Sequence, residues 1–97
     1  MFRRKRKDSE QVAVFKPGGL LSGQVFRLDD KLLTYKNAYG KYATVPRSAI
    51  QTVTVDAKGR GTSTLKLIGS GTVLASIDLP HPWAAATQRW LLEQLGF

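Results

Sequence analysis

Turn-forming residues recur along this chain at short, nearly regular intervals, and between them lie short runs of alternating or β-branched residues. Residues 12–15 form the first such run. It ends at Lys16-Pro17-Gly18-Gly19, where proline presets φ and the glycines accept positive φ. Residues 20–28 return as a second strand, in which Gly23 is expected to mark a bulge or bend. The stretch 24–35 is the clearest hairpin. Phe26 and Leu28 alternate with Val25 and Arg27 on one arm, and Leu33 and Tyr35 with Leu32 and Thr34 on the other. Asp29-Asp30-Lys31 between them is turn-prone, because aspartate side chains bond nearby backbone amides.

The pattern continues to residue 78. A turn over 36–41 leads to a strand at 42–45, and Pro46, lacking an amide proton, sets a strand end or a sheet edge before Arg47 and Ser48. Residues 49–56 are rich in β-branched side chains suited to a pleated surface, and 57–61 are their turn. Strands at 62–68 and 72–78 flank Gly69-Ser70-Gly71, with Val73, Ala75 and Ile77 expected on one face. Seven short strands with such punctuation imply an antiparallel barrel or sandwich.

Leu79-Pro80-His81-Pro82 breaks the strand pattern and prepares a helix over 83–95, with Gly96 as its left-handed cap. Trp83, Ala86, Trp90, Leu91 and Leu95 fall in one arc, Arg89 and Glu93 lie opposite, and Thr87 and Gln94 interrupt the apolar face. A helix this short is not stable alone, so it is expected to lie on the strands.

Ninety-seven residues make one domain with roughly 60–65% of its unfolded surface buried. With no cysteine there is no disulfide, thiolate metal site or cysteine nucleophile, and a reducing compartment suits the chain. No apolar run approaches the ~18 residues that span a bilayer, and Asp8-Ser9-Glu10 stands where a signal peptide needs its apolar segment. The expectation is a soluble, cytoplasmic chain, peripheral at the inner face of the membrane.

Charge supplies the functional signal, with 15 Lys+Arg against 7 Asp+Glu. Residues 1–10 carry five bases and two acids. Arg3, Arg4, Lys5, Arg6 and Lys7 repel one another and have little to bury, so 1–10 is expected to be a disordered basic arm preceding a domain over 11–97. On an anionic membrane each base contributes about 1 kcal/mol, and on nucleic acid the five give a steep salt dependence.

The hairpin arms Phe26-Arg27-Leu28 and Leu33-Thr34-Tyr35, the Val45-Pro46 step to Ala49-Ile50, and a terminal helix bearing Trp90 together resemble a pleckstrin-homology (PH) domain, nearest to bacterial PH-like and GRAM-type domains. The resemblance spans 11–97. It implies a mainly β fold in which seven antiparallel strands form two near-orthogonal sheets of a barrel, capped by one C-terminal α-helix whose Trp90 and Leu91 pack inside, while Trp83 covers the rim. It also implies a binding module for a protein partner or for copies of itself. Many PH domains hold phosphoinositides through a basic-x-Arg pair before the second strand's aromatic run, and here Gly23-Gln24-Val25 stands in that place. Lys16, Lys36 and Lys41 remain near the implied mouth to attract anionic surfaces by diffuse charge, without an arginine fork. If the first strand runs toward the Lys16 loop, the arm leaves from that strand's far end.

Catalysis is not expected. His81 sits between prolines as a turn residue, and Asp29 and Asp30 project differently from one turn. Ser63, Ser70 and Ser76 have no base nearby in sequence, and the Gly59-Arg60-Gly61 and Gly69-Ser70-Gly71 loops open no helix as phosphate-cradling loops do. No cofactor, metal or small-molecule substrate is expected. The alternative is a nucleic-acid-binding barrel in which Arg3 to Lys7, Lys58 and Lys66 contact phosphates and Tyr35, Tyr39 and Tyr42 stack on bases.

Overall fold

The computed structural model describes residues 12–19, 23–37 and 39–96. The basic arm therefore lies outside the described residues. Two antiparallel sheets and one helix follow in chain order. The first sheet has the order β1 (Ala13–Phe15), β2 (Phe26–Leu28), β3 (Leu32–Lys36), β4 (Tyr42–Pro46). After a turn of 3₁₀ helix at Arg47–Ala49 comes the second sheet, β5 (Thr52–Gly59), β6 (Thr62–Gly69), β7 (Thr72–Pro80), and then α1 (His81–Leu95). The seven expected strands are present. No ladder joins β4 to β5 or β1 to β7 among the described residues, so the strands form two antiparallel sheets that are not joined into a barrel.

Strand alternation builds the core. Phe26 pairs with Tyr35 and Leu28 with Leu33 across β2 and β3, and Leu33 pairs in turn with Val45 on β4, so these five side chains share the inner face. Leu65 and Leu67 on β6 and Ala75, Ile77 and Leu79 on β7 face them from the second sheet. The helix lies over β5, β6 and β7 and touches β1. At about 25 cal/mol per Å², burial of this apolar surface is the main favourable contribution to the fold.

Several expected boundaries move, each for a physical reason. Gly23, at φ +79°, lies ahead of β2 instead of forming a bulge within it. The fifth strand starts at Thr52, because Ala49 belongs to the 3₁₀ turn that carries the chain between sheets, and it runs on through Lys58 and Gly59 to an Arg60-Gly61 turn. Val73 does not share a face with Ala75 and Ile77. The pairing steps from Leu67–Ala75 to Ile68–Val73, so Leu74 is an extra residue and Val73 is turned outward, 49% exposed.

The helix begins at His81, two residues earlier than expected, with Pro82 in the first turn, where its missing amide proton leaves no gap in the helical ladder. The His81 amide donates to the Gly61 carbonyl at 2.8 Å, which fixes the helix start to the β5–β6 turn. Gly96, at φ +80°, closes the other end by donating to Leu92. Arg47 holds that end in place: its guanidinium donates to the Gln94 and Asp29 carbonyls, both at 2.9 Å, tying the last turn of α1 to the β2–β3 hairpin.

The buried line of α1 is Ala84, Thr87 and Leu91, three and four residues apart. Trp83 and Trp90 are half-buried on its flank, and Trp90 stacks on Phe15 with ring centroids 5.3 Å apart. Thr87 is thus the centre of the packed face and not an interruption. Its buried Oγ1 has no hydrogen-bond partner among the described residues. Thr87→Val removes that hydroxyl at little change in shape. It is expected to raise stability by about 1 kcal/mol and Tm by roughly 4–8 °C in thermal denaturation; an unchanged or lower Tm would show that the hydroxyl is satisfied in solution.

A candidate basic face on the first sheet

The alternation that buries Phe26 and Leu28 turns Arg27 outward. Register then selects its neighbours. Val14 pairs with Arg27, Arg27 with Thr34, and Thr34 with Thr44, a row across all four strands on the outer face. Lys36 pairs with Tyr42 in the adjoining part of the sheet, and its Nζ lies 5.8 Å from the centre of the Tyr42 ring. Val14 is 50% and Tyr42 62% exposed, so apolar surface and cations share this face.

Two open depressions flank the Arg27 and Tyr42 side chains. One, of about 380 Å³, is bordered by Val14, Lys16, Gln24 and Val25 as well as by those two. The other, of about 360 Å³, adds Val12, Asp29 and Thr34. Among the described residues, Lys16, Arg27, Lys36 and Lys41 form no ion pair. Asp29 borders the smaller of these depressions. Its Oδ1 accepts the Leu32 and Lys31 amides at 2.7 and 2.8 Å, and those bonds, with the charge of Arg27 adding to them, hold its carboxyl below the usual value.

The structure brings Lys16 and Lys36 toward Tyr42 and sets Lys41 in the adjacent turn. There Asn37 Oδ1 accepts the Tyr39 and Lys41 amides at 2.9 and 3.1 Å. The Lys16 loop and the 37–41 turn are at one end of the first sheet. β1 begins opposite Leu28, at the other end, so the chain enters the sheet away from Lys16. Arg3, Arg4, Lys5, Arg6 and Lys7 lie outside the described residues.

Arg27 is the residue that sequence reasoning missed. Its outward direction was legible from the buried positions on either side; its partners Val14 and Tyr42 belong to other strands and needed the register.

The second sheet is arranged differently. Lys58 binds Asp78, Thr64 donates to the same carboxylate at 2.8 Å, and Lys66 lies 3.3 Å from Asp56. The Lys58 hydrogen bond, followed by that of Thr64, lowers the Asp78 pKa. Both lysines that a nucleic-acid surface would use there have carboxylate partners. Tyr35 is 8% exposed and its ring packs near Phe26, so it offers no face to a base. Tyr39 and Tyr42 are exposed.

One constellation escaped the sequence altogether. Ser63 Oγ lies 2.7 Å from His81 Nδ1, the first contact of a nucleophile–base pair. The residue is 1% exposed, however, and it sits against the start of α1, where the bond braces the strand-to-helix corner. Among the described residues there is no cluster of three or more His, Cys, Asp or Glu side chains suited to a metal, and no helix long and apolar enough to cross a membrane. Compared with models of protein families, with curated proteins and with solved structures, the chain matches none of them.

Proposed function

We propose that this chain is a noncatalytic, PH-like docking module that engages a protein partner, with the basic arm drawing it to an anionic membrane surface on the cytoplasmic side. The observation that carries the reading is the segregation of charge: lysines on the second sheet are matched by aspartates, whereas Lys16, Arg27 and Lys36 surround Tyr42 with no carboxylate in ion-pair range among the described residues. A surface built this way attracts anionic partners. The order of four strands, three strands and a C-terminal helix supports the PH-like part of the proposal. The nucleic-acid alternative is weakened by the pairing of Lys58 and Lys66 and by the burial of Tyr35.

The test compares the full chain with residues 11–97 on phosphatidylserine-rich vesicles and on single- and double-stranded oligonucleotides at about 0.15 M ionic strength. The full chain is expected to sediment with vesicles, and the shortened chain to lose them while keeping its fold. Oligonucleotide binding that survives the truncation would replace this proposal with the nucleic-acid reading. Absence of vesicle binding by the full chain would remove the membrane component.

A further inference from the structure

We propose that the outer face of the first sheet is the docking surface for an extended acidic peptide segment of a partner protein, with an apolar side chain of that segment seated beside Tyr42. The inference rests on the docking-module reading and names the partner class for it. Three features of the face carry it. Lys16, Arg27 and Lys36 present positive charge with no ion-pair partner among the described residues. Val14 and Tyr42 are half or more exposed between those cations, so carboxylates and an apolar group are required close together in whatever binds. The depressions beside Arg27 and Tyr42, of 380 and 360 Å³, have the form that inserted side chains fill; Asp29 borders the smaller, so the acidic residues are expected at the larger, beside Lys16 and Arg27.

Other occupants fit less well. A second copy docked through this same face would set the same cations against each other. A bilayer takes up protruding apolar tips, of which this end of the sheet offers Tyr39, whereas Val14 and Tyr42 lie on the face of the sheet. An extended segment lying along the face sets alternate side chains toward it, so acidic residues two positions to either side of one aromatic reach Lys16, Arg27 and Lys36 while the ring enters a depression.

The probe is a short labelled peptide with one phenylalanine between glutamates, titrated into the full chain while backbone amide resonances are followed. Comparison probes are the all-glutamate peptide, the peptide with lysine in place of glutamate, and phosphatidylserine vesicles. The acidic aromatic peptide is expected to shift the Val14, Arg27, Thr34 and Tyr42 signals saturably. Charge reversal in Arg27→Glu is expected to weaken it about tenfold, with Tyr42→Ala also weakening it. Both residues are exposed, so the variants keep the spectrum of the folded protein.

Shifts that map to another surface, equal affinity for the all-glutamate peptide, or unchanged affinity in Arg27→Glu would each overturn the proposal. So would vesicles shifting these same four signals while the peptide does not. Vesicle binding through the arm is read separately, so loss of the membrane component leaves the peptide result standing.

Discussion

Gly69→Ala is expected to lower stability by about 3 kcal/mol, a fall in Tm of roughly 12–24 °C for a domain of this size. The reason is steric. A β-carbon built on Gly69 would lie 1.9 Å from the carbonyl oxygen of Ala49 and 3.0 Å from Leu74 Cδ1. The obstructing atom is backbone and cannot swing aside. It belongs to the connection between the sheets, which is held on both sides: the Ile50 amide donates to Arg47, the Gln51 amide to Ile68 at 2.7 Å, and the Ser70 amide to Gln51 Oε1. To admit a methyl group, either the 3₁₀ turn or the end of the β6–β7 hairpin has to move, and each carries core residues with it. Gly59→Ala is the control. Nothing lies within 4 Å of its β-carbon position and its φ is not positive, so its Tm is expected to change by no more than a few degrees. A Gly69→Ala protein that melts like the Gly59→Ala protein would mean that the connection does not pass over Gly69 in solution.

That contact also marks where sequence reasoning ended. The Ser70-Gly71 turn was legible because turn chemistry is local, and so were the hairpin at Asp29 and the alternation of Phe26, Leu28, Leu33 and Tyr35; Gly69, expected in that turn, is the last residue of β6 and pairs with Thr72. The approach of Ala49 depends on nineteen intervening residues, and no local pattern encodes it. Val73 was placed on the wrong face for a related reason: strict alternation assumes uninterrupted pairing, and the extra residue at Leu74 reverses it. Thr87 looked like a flaw in an apolar stripe, yet the line of α1 over β5–β7 is set by packing, which put Ala84, Thr87 and Leu91 at its centre.

The candidate site divided along the same boundary. The lysines at 16, 36 and 41 were visible because they flank turns. Arg27 sat inside a strand and was read as one arm of a hairpin. Ser63 and His81 are eighteen residues apart, and the pairing of Ser63 with Leu79 is what brings the strand-to-helix corner over that serine.

Adjacent residues on β2 provide the second large expected effect and its sharpest contrast. Phe26→Ala is expected to cost about 3–5 kcal/mol, because the ring is fully buried, packs at 6.3 Å from Tyr35 and lies in the same core cluster as Leu28, Leu33 and Val45. β2 has only three residues and is flanked by β1 and β3, so a cavity there weakens both ladders of the first sheet. In a domain whose total stability is about 5–15 kcal/mol, a loss of that size leaves a substantial unfolded fraction in mild denaturant. Arg27→Ala, one position along, removes an exposed side chain and is expected to change stability by no more than about 0.5 kcal/mol. Urea unfolding of the two variants checks both values. If Arg27→Ala is destabilised as much as Phe26→Ala, then Arg27 contributes to the fold. If it unfolds like the parent protein, Arg27 is free of a structural role, and the effect of Arg27→Glu on peptide binding can be read without a stability correction.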